Sequence, residues 1–344
     1  MKALIVSLKF HPGHVSHMIA SYNQCEELGY ESVFYADQNF VNYLPKDSRI
    51  VINGQTVSPK VDLAIFLFPS QNNLKLIWQM KRIGTKVVYI FHEPLAPMIE
   101  YRKAGFSYKY LAKLWIINKI SSLTVKWSDI IILPSMKAVE FYEKNPLYKN
   151  DNYHNLPLMY DDERQEGHTF MPRTYFSYIG TVAADHSFQE YLDFVCWAIR
   201  ENRLPDLKFM LCTKSVFEVP KELDRNPRVV IHQGKPMSNE EINTYYASTY
   251  VVWNAYARTT QSGVLAKSFM FGTPALVLKK NINEFAQDGV EIKAIEDNFN
   301  KEEIAASVEV IMKDFNRYSE NCRKQFLQSF YYRKYNNEFA SLIK

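Results

Sequence analysis

Three histidines are spaced by three in a short loop that follows an apolar run near the start of the chain. His11, His14 and His17 come after residues 3–7, and a helical pattern continues from there. A loop that leads from a strand into a helix presents backbone N–H groups and the positive end of the helix dipole, which favour an anion. Gly13 would let the backbone approach a phosphate closely. The loop is therefore predicted to contact a phosphate or an acceptor, with plain loop structure as the alternative.

The even spacing of these histidines also raises the question of a zinc site. Zinc requires tetrahedral geometry and usually a carboxylate or a cysteine beside the histidines. The loop supplies neither of them. We therefore expect no metal ion and no cofactor.

A fourth histidine, His92, directly follows the apolar run 86–91 and precedes Glu93 and Pro94. An imidazole at the carboxyl end of a strand can donate a hydrogen bond to a leaving phosphate or contact a sugar hydroxyl. The alternative is a loop histidine whose ring is satisfied by the backbone. Glu93 could act as a general base or cap the helix that begins after Pro94.

Small and hydroxyl-bearing residues precede a predicted helix in the second half of the chain, between 257 and 264. Ser262 and the backbone N–H groups of Gly263 and Val264 could form a phosphate cradle, because a helix N-terminus favours negative charge. Arg258, a few residues earlier, could supply a cation. Any helix with an N-cap shows a similar pattern, so this signal is weak by itself.

These candidates follow apolar runs that alternate with helix-length stretches, the pattern of parallel β-α units. The first series predicts strands at 3–7, 31–35, 63–68, 86–91 and 129–133, with helices at 17–28 and 73–83. The second series predicts strands at 175–179, 208–212, 228–231, 250–253 and 275–278, with helices at 187–200, 238–247, 263–271 and 301–315.

A stretch without clean periodicity separates the two series and holds the acidic run Asp161-Asp162-Glu163. We predict an N-terminal acceptor-side domain, a linker, a C-terminal nucleotide-sugar-binding domain and a C-terminal helix that packs back toward the first domain, at 1–155, 156–172, 173–320 and 321–344. Doubly wound domains bind ligands at the carboxyl ends of their strands. The expected fold is α/β, with two Rossmann-like domains facing across a cleft.

Composition narrows the function classes. The 344 residues are 47% hydrophobic and 23% charged with a net charge of +4, typical of a globular protein and not of a dedicated nucleic-acid binder. The four cysteines are scattered, and no run suits a signal peptide or a membrane span, so we expect a cytoplasmic protein. No G-x-G-x-x-G follows the first apolar run, which argues against a dinucleotide-dependent oxidoreductase.

The segment 107–126 carries four lysines among Trp115 and several isoleucines and leucines. A basic helix of this composition can lie on an anionic membrane surface, which would make the protein peripheral at the inner membrane surface. The alternative is an ordinary domain helix with solvated lysines.

The stretch from Val229 to Trp253 carries a family resemblance. It reads Val-Val-Ile-His-Gln-Gly-Lys-Pro-Met-Ser-Asn-Glu-Glu-Ile, followed by Tyr245-Tyr246 and Tyr250-Val251-Val252-Trp253. Together with Gly272-Thr273-Pro274 further on, it resembles the group 1 glycosyltransferases of the GT-B fold. In that family a strand, a glycine-containing loop, a helix opened by Ser-x-Glu-Glu and a further strand precede the phosphate-binding helix.

Other segments match the order of elements in that family, and two motifs of the family are missing from this chain. Residues 129–135, 156–161 and 175–180 resemble the last N-domain strand, the interdomain segment and the first C-domain strand of the family. Thr259 and Lys267 stand where the family carries its Glu-x7-Glu pair. The arginine and lysine that face the diphosphate after the first C-domain strand are also missing. Possible substitutes, by their closeness to strand ends, are Arg258, Lys214 and Lys235.

The resemblance implies a hexosyltransferase-like, metal-independent and retaining glycosyltransferase of polysaccharide biosynthesis. It would move a sugar from a nucleotide diphosphate-sugar to a glycan, lipid-linked or protein acceptor, with His92 and Arg258 in catalytic roles. The predicted donor-binding residues are Gly13, Gly180, Thr181, Lys214, Gly234, Lys235, Thr259, Gln261, Ser262, Gly263, Val264 and Lys267. The predicted acceptor-side residues are His11, His14, His17 and Glu93.

Two other functions are compatible with the same pattern. The missing acidic pair favours a catalytically silent module that binds a sugar nucleotide or a glycan. A nucleotide-sugar epimerase of similar fold would act on the donor without an acceptor.

Overall fold

The computed structural model describes residues 1–55, 60–68, 70–103, 107–169, 171–258 and 261–344. These residues form two compact units. Unit 1 consists of Met1–Asp161 and Tyr331–Lys344, and unit 2 of Asp162–Phe330. Each unit has its own parallel sheet and its own apolar core.

The sheet of unit 1 has seven strands in the part of the chain that is described. They are β1 Lys2–Ser7, β2 Glu31–Ala36, β3 Ile50–Ile52, β4 Leu63–Phe66, β5 Lys86–Ile90, β6 Ile130–Leu133 and β7 Tyr153–Asn155. Their order is β3-β2-β1-β4-β5-β6-β7, with every neighbouring pair parallel. All four residues of β4 and of β6 are buried. Strands covered on both faces are apolar throughout, which explains why these runs were visible in the sequence.

Helices connect these strands, and three of them begin at serine caps. The helices that precede β7 are α1 Val15–Glu27, α2 Gln71–Arg82, α3 Met98–Lys103, α4 Tyr108–Trp127 and α5 Met136–Lys144. The hydroxyls of Ser70, Ser107 and Ser135 accept backbone N–H groups in the first turns of α2, α4 and α5. After α1 and α2 the chain turns at Gly29 and Gly84, whose φ angles of 84° and 78° suit glycine.

The sheet of unit 2 has six strands in the described residues. They are β8 Tyr175–Ile179, β9 Lys208–Cys212, β10 Val229–His232, β11 Thr249–Trp253, β12 Ala275–Leu278 and β13 Ile292–Ile295. Their order is β10-β9-β8-β11-β12-β13, and all pairs are parallel. The connecting helices are α6 Glu166–Thr169, α7 Phe188–Arg200, α8 Asn239–Ala247, α9 Gly263–Met270, α10 Lys301–Lys313 and α11 Phe315–Ser329.

The Ser-x-Glu-Glu signal in the sequence is a capping box at the start of α8. The Ser238 hydroxyl accepts the backbone N–H of Glu241, and the Glu241 carboxylate accepts the backbone N–H of Ser238. Two backbone N–H groups that a helix start would otherwise leave unpaired are satisfied in this way.

The tail, which the sequence presents as one helical segment over 321–344, is divided in the structure. α11 ends at Ser329, Phe330 is fully buried, and Tyr331 pairs with Tyr160 as a short parallel bridge. A last helix, α12 Asn336–Ile343, belongs to unit 1. The break places Phe330 in an aromatic contact with Phe285 of unit 2, at 5.1 Å between ring centroids.

Both sheets are doubly wound, which confirms the α/β class with two Rossmann-like domains. The strand order reverses direction between β1 and β4 in unit 1 and between β8 and β11 in unit 2. Ligands of such sheets bind beyond the carboxyl ends of the strands at this switch point. The loops that follow these four strands are therefore the first places to look for a site.

Candidate functional site

At the switch point of unit 2, the loop after β8 lies against the loop after β11. The backbone N–H of Ala257 donates to the carbonyl of Asp185 at 2.8 Å. The rings of His186 and Tyr256 stack, with centroids 4.5 Å apart and planes at 8°. Gly180 and Thr181 begin the first of these loops and Arg258 ends the described part of the second, so the structure brings these predicted residues to one edge of the sheet.

Gly180 lies beside Tyr256 in this arrangement. A Cβ added at Gly180 would lie 3.5 Å from the Tyr256 hydroxyl, an ordinary contact. Protein packing therefore does not require glycine at this position. The predicted reason for the glycine, close approach of a donor, remains a prediction.

The helix α9 follows the loop after β11 and is held at its N-terminus by hydrogen bonds of buried polar side chains. The Ser262 hydroxyl accepts the backbone N–H of Leu265 at 3.3 Å and a hydrogen bond from Asn254 Nδ2 at 2.6 Å. Asn254, Gln261 and Ser262 are all buried, whereas Gly263 and Val264 are partly exposed. The positive end of the α9 dipole therefore lies at the switch point, at a partly exposed surface of unit 2.

Burial also disfavours ionisation of Tyr256. It raises the pKa of the Tyr256 hydroxyl well above the usual value of 10.0, more than the hydrogen bond with Asn254 lowers it. Asn254 thus links the hydroxyl of Tyr256 to the cap of α9. The polar residue immediately after the buried strand was the only signal of this role in the sequence.

Lys267, in the second turn of α9, forms an ion pair with a carboxylate from the segment that the sequence predicts to be a linker. Its Nζ lies 3.0 Å from Glu163 Oε2, and the two side chains are only 9% and 10% exposed. The same carboxylate oxygen accepts from the side-chain amides of Asn239 and Asn243. Burial lowers the pKa of Lys267 more than the neighbouring Glu163 raises it. An acidic group is therefore present beside the position where the family pattern carries glutamate, but it comes from residue 163.

Lys214, Gly234 and Lys235 lie in the loops after β9 and β10, at the same edge of the sheet. The backbone N–H of Gly234 donates to the carbonyl of Ser215 at 3.3 Å, which joins the two loops. Gly234 has a φ of 82°, a conformation that favours glycine. Thr259 lies outside the described residues.

In unit 1, the four candidate histidines form one cluster at the switch-point edge. The ring centroids of His11 and His14 are 4.8 Å apart, and His92 lies 5.4 Å from both His14 and His17. The segment after β1, including the first turn of α1, and the loop after β5 supply them, with Glu93 exposed beside His92. The structure therefore brings the predicted histidines together.

Two features fix this cluster. His17 Nδ1 lies 3.1 Å from the carbonyl of Met159, and its Nε2 lies 3.2 Å from the Tyr160 hydroxyl. A Cβ at Gly13 would lie 3.2 Å from His11 Nδ1, so a larger residue would displace that ring.

His92 is neutral at pH 7. Burial, together with the neighbouring His17 and His11, lowers its pKa well below the usual value of 6.5. A neutral imidazole can exchange hydrogen bonds with a hydroxyl or a phosphate oxygen but carries no positive charge. Within the described ranges, no group of three or more His, Cys, Asp or Glu side chains is arranged to hold a metal ion.

The described part of the chain also contains no helix with the length and apolar character needed to cross a bilayer. The four cysteines are buried and unbridged.

Solved structures of known glycosyltransferases are similar to the whole chain. HepE of Anabaena, in complex with UDP and glucose, has a TM-score of 0.71 at 13% identity and covers 99% of this chain and 98% of that chain. Sucrose-phosphate synthase from Thermosynechococcus elongatus has a TM-score of 0.68 at 11% identity, covering 99% and 98%. WaaG, a glycosyltransferase involved in lipopolysaccharide biosynthesis, has a TM-score of 0.69 at 12% identity, covering 99% of both chains.

These similarities confirm the GT-B fold that the sequence predicts. By sequence, no family model and no curated protein matches the chain. At such low identity the likeness establishes the fold, and the chemistry has to be argued from the site.

Proposed function

We propose that this chain is a glycosyltransferase that moves a sugar from a nucleotide diphosphate-sugar to a glycan, lipid-linked or protein acceptor. The supporting observation is the N-terminus of α9, capped by Ser262 and held by Asn254 at the switch point of unit 2. HepE, which has the same fold, was solved with UDP and glucose. A diphosphate is the ligand that the positive end of a helix at a switch point would bind.

The leaving diphosphate gathers negative charge as the glycosidic bond breaks. The dipole of α9, the backbone N–H groups of its first turn and the Arg258 guanidinium would stabilise that charge without a divalent metal. Gly180 and Thr181 would let the loop after β8 approach the donor, and Lys214 and Lys235 would add positive charge further along the same edge. Glu163, through its contact with Lys267, would supply the carboxylate of the donor site.

The histidine cluster of unit 1 would serve the acceptor and the reacting sugar. Because His92 is neutral, its role would be a hydrogen bond to a sugar hydroxyl or a phosphate oxygen and not charge neutralisation. His11, His14, His17 and Glu93 would contact the acceptor. Retention of configuration at the transferred sugar is part of the proposal, on the family resemblance.

We place this activity in the cytoplasm, with peripheral contact to the inner membrane surface through residues 107–126. The four unbridged cysteines suit a reducing compartment. A lipid-linked acceptor would be met at that surface.

The test is release of nucleotide diphosphate from a panel of nucleotide sugars, in EDTA and with candidate acceptors. Arg258→Ala is expected to lower kcat about 100-fold, as loss of one charge-stabilising group at a leaving phosphate does. Arg200→Ala is the matched control, because Arg200 ends α7 at the opposite edge of the sheet of unit 2. Equal turnover of wild type and Arg258→Ala would count against the assigned site, and no turnover with any donor would overturn the proposal.

One observation favours a second candidate, a module that binds a sugar nucleotide without transfer. The position of Lys267 lacks the acidic residue implied by the resemblance, and Glu163 is already bound to three side chains. Tight binding by calorimetry with no turnover would support this candidate. Product analysis with donor alone separates both functions from epimerisation.

A further inference from the structure

Helix α4 of unit 1 packs a largely polar face into the protein. The buried side chains of α4 are Leu114, Asn118, Ser121, Thr124 and Val125. The polar side chains among them form hydrogen bonds, including one from Asn145 Nδ2 to Asn118 Oδ1 at 3.1 Å. Leu114 and Val125 join apolar clusters of unit 1, but three of the five buried side chains are polar, so the inward stripe of α4 is less apolar than is usual for a surface helix.

The opposite face of α4 combines large apolar side chains with lysines. Trp115 and Ile116 are 54% and 53% exposed, and Tyr108, Lys119 and Leu123 are also exposed. Trp115, Lys119 and Leu123 follow one another at intervals of four, Tyr108 lies seven residues before Trp115, and Ile116 lies three before Lys119, so the five form one stripe along the helix. An ordinary domain helix with solvated lysines would not present tryptophan and isoleucine to water on the same side.

The apolar surface continues onto the neighbouring helices. Eight of the fifteen large apolar side chains that are exposed in the described residues lie between positions 78 and 123. Trp78 on α2 and Ile99 on α3 are among them, and the Arg82 guanidinium lies over the Trp78 ring at 4.6 Å. Single exposed apolar residues are common, but a concentration of this kind marks an interaction surface.

The positive charge of the stripe favours an anionic partner. Residues 107–128 contain four lysines, Lys109, Lys113, Lys119 and Lys126, and no acidic residue. A second copy of this chain docked symmetrically would bring two sets of these lysines together, which like-charge repulsion disfavours. An anionic lipid surface offers complementary charge for the lysines and a headgroup boundary in which tryptophan is well accommodated.

We propose that this face, consisting of the exposed side of α4 with Trp78 and Ile99, binds the surface of a bilayer that contains anionic lipids. Trp115 and Ile116 enter the boundary between headgroups and acyl chains, while the lysines contact lipid phosphates. The proposal extends the peripheral location given above, and it does not depend on glycosyl transfer.

Flotation of the full-length protein with vesicles tests the proposal. Wild type is expected to float with mixed phosphatidylcholine and phosphatidylglycerol at low salt, and far less with phosphatidylcholine alone or at high salt. Trp115→Ser with Ile116→Ser is expected to lower the partition coefficient at least about tenfold. Lys113→Glu with Lys119→Glu is expected to remove the dependence on phosphatidylglycerol. The control, Phe299→Ser with Lys221→Glu, makes the same changes on exposed residues of unit 2 and should float like wild type.

Wild-type protein that stays with the soluble fraction in both lipid mixtures at low salt would overturn the proposal, as would equal loss in the control variant. A dimer in light scattering that Trp115→Ser with Ile116→Ser makes monomeric would assign the face to a second copy and overturn it too. Turnover with a water-soluble acceptor is measured separately. Turnover without flotation would contradict only the proposed membrane-binding face. Flotation without turnover would contradict only the proposed glycosyl transfer.

Discussion

The ion pair between Glu163 and Lys267 joins two parts of unit 2 that are 104 residues apart in sequence. Both side chains are almost fully withdrawn from water, so each charge depends on the other and on Asn239. A buried pair of this kind adds little net stability compared with an apolar pair, but loss of one partner leaves an uncompensated charge. The pair therefore fixes the position of the linker carboxylate against α9.

Removal of one member should cost far more than removal of both. Glu163→Gln is expected to lower the free energy of unfolding of unit 2 by about 3–5 kcal/mol, and adding Lys267→Met should recover part of that loss. Urea unfolding followed by hydrogen exchange of the strands of unit 2 measures both. In the control pair Lys279 and Glu296, which is mostly exposed, Glu296→Gln should cost less than about 1 kcal/mol. Strict additivity of Glu163→Gln and Lys267→Met would contradict the coupling.

His92 gives unit 1 a pH dependence whose sign follows from its lowered pKa. Below pH 6.5 the unfolded chain binds a proton on this side chain while the folded protein does not. The unfolded state is then favoured, and the free energy of unfolding falls by about 1.4 kcal/mol for each pH unit until the lower folded pKa is reached.

In the His92→Asn variant, the free energy of unfolding of unit 1 should therefore fall less steeply as the pH is lowered from 6.5 toward the folded pKa of His92. Hydrogen exchange of the strands of unit 1 across this pH range measures the slope. His154→Asn, at a less enclosed histidine on the edge strand β7, is the control and should keep the wild-type slope. An unchanged slope in His92→Asn would show that His92 is protonated in the folded protein.

At the scale of elements, the carboxylate of Glu27 at the end of α1 holds the C-terminal segment onto unit 1. It accepts hydrogen bonds from the Tyr332 hydroxyl at 2.6 Å, Arg333 Nε at 2.7 Å and Asn336 Nδ2 at 2.8 Å. This carboxylate anchors the turn that precedes α12, together with Gln24, whose side-chain amide donates to the Tyr332 carbonyl at 3.5 Å and to Asn336 Oδ1 at 3.1 Å.

Glu27→Ala should loosen α12 without unfolding unit 1. Amide exchange of residues 336–343 is expected to rise about tenfold, the effect of losing roughly 1.4 kcal/mol of local stability, while β1 and β4 keep their protection. Mass spectrometry of exchanged peptides reports both regions. Glu320→Gln, an exposed carboxylate on α11, serves as the control. If 336–343 exchanged no faster, the packing of Phe339 and Ile343 and the hydrogen bonds from Gln24 and Lys86 would be enough to hold the helix.

The central strands and most of their helices could be predicted from the sequence, because strands buried on both faces read as short apolar runs. The predicted strands at 175–179 and 208–212 match β8 and β9 in both bounds. The edge strands β3, β7 and β13 were missed. They are three or four residues long and partly exposed. The apolar run of β3 is only three residues long, and β7 and β13 contain His154 and Lys293, so none of these strands shows the longer apolar run of a central strand.

The candidate site was predictable only where it follows strand ends. The histidine cluster follows from the rule that loops after parallel strands share one edge. The approach of Glu163 to Lys267 does not, because no local pattern records a contact across more than a hundred residues. Asn254, eight residues before the cap that it holds, is marked in the sequence only as a polar residue at the end of a buried strand, and its contact with Ser262 does not follow from that.

At the scale of the whole molecule, the chain leaves unit 1 at Asp161 and returns to it at Tyr331. The two crossing points are adjacent: Tyr332 donates its backbone N–H to the carbonyl of Tyr160 at 3.0 Å, and Tyr160 pairs with Tyr331. Unit 2 is thus one uninterrupted segment, whereas unit 1 is made from both ends of the sequence.

This chain connectivity sets the order in which the two units are completed during synthesis on the ribosome. The segment Asp162–Phe330 is translated completely before the residues that finish unit 1. Unit 2 can therefore fold as soon as it leaves the exit tunnel, while unit 1 must wait for its last helix. The carboxylate of Glu27 is made early and meets its three partners only after all of unit 2 has been translated, so a chain truncated after Phe330 would carry every residue of unit 2 and an open unit 1.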